Sequence, residues 1–410
     1  MSEPAAFDPT QRFATRTAQA PRFTAIPVVH DGLIRFGGGI PDPTTYPVEW
    51  FAAAFPEVLV EDRAAAWTYG GPAGFVGLRE GIAAHLLARD GCEPTLDQLL
   101  ITNGISQGVA LVAHTFLDPG DTVIVEQTTF PGSVATFRIE GAKIATVPLD
   151  DEGLIPEALE ERLHQLQRQG ERVKLLYTIP NFHNPTGSVL SEARREQLTA
   201  IAQRHDLIIL QDDAYGDIRL ADVRPASLFA LAPSHVIELG TFSKTIGPGL
   251  RVGWVRATPE ITAMLSAMRT DLGTTPMLHR LVARFLQAGQ FEPHLERALA
   301  CYRRKLAVMV AALEAHCTPW LQWRTPPGGF FLWLRLAGGD ASAMGELCPA
   351  EGVVINTGRN FFAADPQPEY FRLSFSYLPA EELAEGVRRL GRALARYVVQ
   401  REQAAGQARG

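Results

Sequence analysis

Between about residue 75 and residue 260, short apolar runs alternate with stretches of helical periodicity. Leu99-Leu100-Ile101-Thr102, Thr122-Val123-Ile124-Val125-Glu126, Lys143-Ile144-Ala145-Thr146-Val147, Leu175-Leu176-Tyr177, Leu207-Ile208-Ile209-Leu210 and Val236-Ile237-Glu238-Leu239 read as strands. Helical patterns fall between them, at about 106–116, from about 130, and at about 191–205. Strands that are apolar on consecutive positions are buried on both faces, which predicts a mostly parallel sheet covered by helices. After about residue 275 the pattern changes. A long helix is expected at 292–315, then short strands at 330–336, 353–356 and 371–374, and a closing helix at 381–398. The prediction is an α/β chain with a large domain over 46–285 and a smaller α+β domain over 286–400. Residues 1–45 form an arm joining the small domain, and 401–410 a disordered tail.

The chain has 410 residues, 46% of them hydrophobic, enough for a large core in two domains. A net charge of −7 leaves no electrostatic footprint for nucleic acid. No apolar run approaches the roughly 20 residues that span a bilayer, and the first residues do not resemble a secretory signal. The four cysteines are far apart and the ten histidines form no HxxxH or HExxH pattern. Neither a disulfide framework nor a metal site is expected, and the chain reads as cytoplasmic.

In open sheets of this kind, ligands bind at the carboxyl ends of the strands. The unusual residues gather there. Thr241-Phe242-Ser243-Lys244-Thr245-Ile246-Gly247-Pro248-Gly249-Leu250-Arg251 sets a lysine among hydroxyls, then a Gly-Pro-Gly turn and an arginine. A partly buried lysine supplies a neutral amine able to form a Schiff base with a carbonyl cofactor, and the hydroxyls and Arg251 suit a phosphate beside it. The run reads as pyridoxal 5′-phosphate chemistry. Gln211-Asp212-Asp213-Ala214-Tyr215 ends an apolar strand with carboxylates that need a cationic partner at that depth. A protonated pyridine nitrogen is such a partner, and keeping it protonated makes the ring an electron sink. Tyr215 is placed to donate to the ring's phenolic oxygen.

Pro180-Asn181-Phe182-His183-Asn184-Pro185-Thr186-Gly187 adds Asn184 as a second partner for that oxygen, with His183 beside the pocket rather than acting as a base. Asn103-Gly104-Ile105-Ser106-Gln107-Gly108 passes from strand to helix, where free N–H groups make an anion site. In Phe371-Arg372-Leu373-Ser374, period-two alternation turns Arg372 away from its apolar neighbours, and a guanidinium grips a carboxylate through two parallel bonds. Alone, each motif has a plain reading as a turn, a helix cap or a surface arginine. Together they converge on one site.

These residues resemble the fold-type I pyridoxal-phosphate enzymes, class I/II aminotransferases in particular, over about residues 35 to 398. Phe36-Gly37-Gly38-Gly39-Ile40-Pro41-Asp42-Pro43 and the Lys244 run are similar to the α-aminoadipate and kynurenine aminotransferase branch. That resemblance implies a Schiff base on Lys244 and selects Asp212, rather than Asp213, for the ring nitrogen. It places Asn184 and Tyr215 at the phenolic oxygen, and Ile105, Ser106, Gln107, Thr241, Ser243 and Arg251 around the phosphate. It stacks Phe130 on the ring and gives Arg372, with backbone near Gly38 and Gly39, the substrate carboxylate. It also implies a homodimer in which Tyr69 reaches the neighbour's phosphate. Phe130 stands where tyrosine is common, and Ile105 where serine or glycine is frequent.

The implied reaction moves the amino group of an L-amino acid to a 2-oxo acid, with 2-oxoglutarate and glutamate as one pair. Other chemistry on the same cofactor (elimination, cyclisation, decarboxylation or oxidation) stays open, as does a non-catalytic amino-acid-sensing module. Arg12, Arg16 and Arg22 can meet a distal substrate carboxylate or be solvated on an arm, with Arg22 the candidate for substrate binding. Phe23, Phe75 and Phe182 equally suit an aromatic or aliphatic pocket.

Overall fold

The computed structural model describes residues 8–20, 32–223 and 225–407. Seven strands form the larger sheet: β1 Leu99–Thr102, β2 Thr122–Glu126, β3 Lys143–Val147, β4 Val173–Thr178, β5 Ile208–Asp213, β6 Val236–Thr241 and β7 Gly253–Arg256. Their spatial order is β1-β7-β6-β5-β4-β2-β3. All neighbours pair in parallel except β7, which runs antiparallel between β1 and β6.

Helices cover both faces, as the unbroken apolar runs require. On one face Leu210, Ile237 and Leu239 pack with Val109 and Val112 of helix Ile105–Phe116 and with Phe137 of helix Pro131–Ile139. On the other, Leu176, Ile209 and Val236 meet Leu159 and Leu163 of helix Pro156–Arg168 and Leu198 of helix Glu192–Arg204. Proline opens several of these helices at a position where its missing N–H costs nothing. Each fully buried Leu or Phe contributes about 1.5–3 kcal/mol.

The second sheet is antiparallel throughout. Its strands β8 Leu321–Trp323, β9 Phe331–Leu336, β10 Asn356–Thr357 and β11 Tyr370–Ser374 lie in the order β8-β9-β11-β10. It rests on helices Phe291–His316 and Ala380–Gln407 through Tyr302, Met309 and Leu313 of the first and Leu383, Val387 and Leu390 of the second. Ile34 and Phe36 join this core, and Ile34–Arg35 pairs in parallel with Val353–Val354.

Two expectations need correction. The strand read at 353–356 is two short pieces: Val353–Val354 pairs with the N-terminal segment and Asn356–Thr357 with β11. The last helix continues through Gln407, so residues 401–407 of the expected tail are helical. Arg401, Glu402, Gln403 and Ala404 all favour helix.

Candidate active site

β6 ends at Thr241, and the chain then folds into a tight loop in which the N–H groups of Ile246 and Gly247 donate back to the Phe242 carbonyl (2.9 and 3.1 Å). Phe242 anchors the loop, its ring 4.9 Å from Trp254 and 5.5 Å from Phe291. Lys244 is half-buried, donates to the Gly39 carbonyl at 2.8 Å and lies 5.7 Å from the centre of the Tyr215 ring. Burial, with help from the cations Arg372 and Arg251, pulls its amine down to about 8, against an opposing pull from Asp212.

β5 delivers adjacent carboxylates to opposite faces of the sheet. Asp213 is closed off, with Arg89 Nη1 donating to Oδ2 and Asn181 Nδ2 to Oδ1, both at 2.7 Å. Asp212 accepts from the Tyr177 hydroxyl at Oδ2 (2.7 Å), while its buried Oδ1 has no partner among the described residues. Burial raises its carboxyl to about 6, although Tyr177 draws it back. Tyr215 is buried edge-on against Phe330 and Phe331, at 5.6 Å from each. Only glycine fits at Gly39, where a Cβ would lie 2.6 Å from Phe331 and 3.3 Å from the Tyr215 hydroxyl.

Asn184 follows β4 in a loop pinned by Glu126 at the end of β2. Glu126 accepts from Thr178 Oγ1 (2.6 Å) and the Ile179 N–H (3.2 Å), and its Oε2 is 3.1 Å from His183 Nε2. The other nitrogen of His183 is 2.9 Å from the Thr186 hydroxyl, so this histidine fixes the loop. Asn184 Oδ1 accepts from Arg372 Nη1, and the Gly37 carbonyl from Arg372 Nη2, both at 2.6 Å. Arg372 sits on the interior strand β11, its guanidinium 3.9 Å from the Phe331 ring centre and 4.5 Å from that of Phe361. It has no carboxylate partner among the described residues, its Nε is unpaired, and burial lowers it to about 10.

At the end of β1, helix Ile105–Phe116 starts from Gly104, whose φ is 72°. The first N–H groups of a helix lack internal acceptors, which leaves those of Ile105 and Ser106 open to an anion. Arg251, itself left-handed with φ 52°, reaches across to the Asn103 carbonyl (2.8 Å). A Cβ on Gly104 would meet its guanidinium at 2.8 Å. The Thr241 hydroxyl donates to the Val252 carbonyl (2.8 Å) and lies 2.9 Å from Ser243 Oγ. Phe130 is half-buried at the start of helix Pro131–Ile139.

Other expected residues are not brought together here. The Gln107 side chain turns aside to the Asn103 N–H (2.7 Å) and Asp271 (2.5 Å). Tyr69 is 83% exposed, and Arg12 and Arg16 are exposed in short 3-10 turns. Phe182 is buried in the core of the smaller sheet, and Arg280 caps the Phe75 ring at 4.3 Å. Arg22 and Phe23 lie outside the described residues. The sequence reading missed Tyr177, Ser133, Phe331 and Phe361. A phenol closing the aliphatic run Leu175-Leu176 was the one available signal. Away from the site, Glu160, His164 and His205 bring possible metal-ligand atoms within 4.8 Å of one another, but Glu160 Oε1 already accepts from Arg204 at 2.6 Å.

An orphaned carboxylate oxygen, a softened amine, an open helix N-terminus beside an arginine and an unpaired buried guanidinium fit pyridoxal 5′-phosphate and an amino acid. A family model described as aminotransferase class I and II matches residues 33–390. The chain is 34% identical to aromatic-amino-acid aminotransferase 1 of Thermococcus litoralis, over 87% of each chain. It is 36% identical to the 2-aminoadipate transaminase of Thermus thermophilus, over 88% of this chain and 90% of that one. The structure of LysN, the α-aminoadipate aminotransferase of Thermus thermophilus, complexed with N-(5′-phosphopyridoxyl)-L-leucine, superposes with a TM-score of 0.87. That match has 34% identity and covers 96% of this chain and all of the other.

Proposed function

The chain belongs to the class I and II aminotransferases, pyridoxal 5′-phosphate-dependent enzymes, and from that premise we propose how its own residues carry the transfer of an amino group from an L-amino acid to a 2-oxo acid. The observation that carries the proposal is Arg372, a buried cation between two aromatic rings with neutral hydrogen-bond partners and no carboxylate. A substrate α-carboxylate supplies the missing charge, and the two-point fork fixes the orientation of Cα as well as the binding.

When bound, pyridoxal 5′-phosphate supplies a carbonyl that takes the amino group and a ring that accepts the electron pair left on Cα. Lys244 would hold that carbonyl and would then carry the proton from Cα. With its amine near 8, roughly a tenth is neutral at pH 7, enough to act as a base. Asp212 Oδ1 would pair with the ring N–H. Tyr215 and Asn184 would serve the phenolic oxygen. The N–H groups of Ile105 and Ser106, the hydroxyls of Thr241 and Ser243, and Arg251 would hold the phosphate. Phe130 would cover the ring, and the backbone at Gly38 and Gly39 would lie against the substrate.

We also propose a cytoplasmic homodimer in which the exposed Tyr69 completes the neighbour's phosphate site. Each subunit has a large cofactor domain over 46–285 and a small domain over 286–400 that carries Arg372. The relatives' names point to aromatic or 2-aminoadipate-like donors, and we propose 2-oxoglutarate as the acceptor. The test is a half-reaction. Loaded protein is mixed with single L-amino acids and no oxo acid, and followed by absorbance and product mass. One oxo acid per site, and no more, is the expected result. Continued turnover without an acceptor overturns transamination in favour of elimination, decarboxylation or oxidation.

A further inference from the structure

We infer that Tyr177 is a positioning residue that keeps the proton on the cofactor's ring nitrogen by acting through Asp212. The inference rests on the proposed pairing of Asp212 with that nitrogen. Tyr177 lies on β4, beside Leu210 of β5, and is fully buried. Its ring packs edge-on against Phe137 at 5.6 Å, a contact that phenylalanine would make equally well. The hydroxyl therefore needs its own explanation.

That hydroxyl lies between two polar atoms, 2.7 Å from Asp212 Oδ2 and 3.0 Å from Ser133 Oγ. An ionised carboxylate can only accept, so Tyr177 donates to Asp212. Its own oxygen is then the acceptor for Ser133, a residue that is itself buried. The hydrogen bonds run one way, from Ser133 through Tyr177, and end on Oδ2. Among the described residues Oδ1 is left without a partner. The relay thus divides the carboxylate into one engaged oxygen and one presented oxygen.

Two effects follow. The carboxylate plane is fixed, which aims Oδ1. Donation to Oδ2 also stabilises the charged form and weakens Asp212 as a base. A proton shared between Oδ1 and the ring nitrogen then rests on the nitrogen, where it strengthens the ring as an electron sink. Burial of Asp212 and the neighbouring charge of Asp213 press the other way, toward protonating Asp212. Tyr177 opposes them. Without its hydroxyl the proton shifts to the carboxyl and the ring loses its charge.

The experiment loads wild type, Tyr177→Phe and Ser133→Ala with pyridoxal 5′-phosphate labelled with 15N in the ring, and reads the 15N resonance together with the kinetics. The expected result is a protonated nitrogen in wild type, a clear move toward the unprotonated position in Tyr177→Phe, and a smaller move in the same direction in Ser133→Ala. kcat should fall about 10-fold in Tyr177→Phe, the order of one hydrogen bond to a charged group, with KM changed less than about two-fold. An unmoved resonance in Tyr177→Phe overturns the inference even if activity falls, because a packing role alone would do that. If Tyr177→Phe does not fold, the shift in Ser133→Ala decides: a move supports the inference, none overturns it. An unprotonated nitrogen in wild type removes the Asp212 pairing, and the inference with it.

Discussion

Arg89 and Arg372 are both buried arginines, and their surroundings are opposite. Arg89 lies behind the larger sheet, where Asp90 accepts from it twice (2.7 and 2.9 Å), Asp213 once (2.7 Å) and Glu238 takes a fourth bond. Those carboxylates hold its guanidinium well above the ordinary range despite burial. Arg372, on the interior strand β11 of the smaller sheet, has two neutral oxygens and two aromatic rings. Burial costs such a cation dearly, and folding alone gives no reason to keep it. A closed set of charges marks a structural joint. An open set marks a place where a ligand completes the balance. Asp213 and Asp212 repeat the contrast with the sign reversed.

The most severe break of this contrast comes at the lysine. Lys244→Ala should lower turnover by at least about 10²- to 10⁴-fold while circular dichroism and Tm stay near wild type, because the residue supports chemistry and not the core. Retained turnover would remove it from the centre of the site. Next come the arginines themselves. Arg372→Leu should lower kcat/KM for amino acids about 30-fold or more with little change in Tm. Arg89→Leu should destabilise the fold by about 3–5 kcal/mol in urea titrations, since it strands Asp213 and Glu238. Equal stability losses in the two variants would erase the distinction between closed and open charge sets.

The smallest expected effect concerns pH. The folded-state amine of Lys244 lies near 8, below its ordinary 10.5, so between those values the folded protein holds fewer protons than the unfolded chain. Stability from this group therefore rises with pH across that window, and Lys244→Met should flatten the rise in cofactor-free protein. Cofactor loading needs the neutral amine, so its rate should climb about tenfold per pH unit up to about 8 and then level off. Arg372→Leu removes a like charge and should move the inflection upward. An unmoved inflection would mean that the two cations do not sense each other.

Much of the larger sheet was legible because burial on both faces leaves unbroken apolar runs such as Val123 to Val125 and Leu207 to Leu210. β7 was not legible. Gly253 and Arg256 end it with residues that read as loop, and Arg256 is tolerated there because Asp90 reaches it from a distant segment and Glu238 stands opposite it on β6. Lys244, Asp212, Asn184 and Arg372 stood out through local strings. The Arg89 joint did not, because its bond to Glu238 spans 149 positions and neither residue sits in a motif. Phe182 was read as a possible pocket residue, but its left-handed backbone (φ 49°) turns the ring into the core, against Gly328 and Gly329. Tyr177 was visible only as a strand residue, since its hydroxyl has meaning only beside Asp212.

The clamp joining Arg372 to the Gly37 carbonyl ties together positions 335 residues apart. On the ribosome, the segment carrying Gly37 emerges early and that carrying Arg372 near the end. The Lys244 loop lies between them in time as well as in sequence. Every part of the proposed phosphate cradle is synthesised before the proposed carboxylate clamp, so on that reading the order of translation puts the grip on the cofactor ahead of the grip on the substrate. A chain stopped short of β11 carries the lysine but lacks the Arg372 clamp.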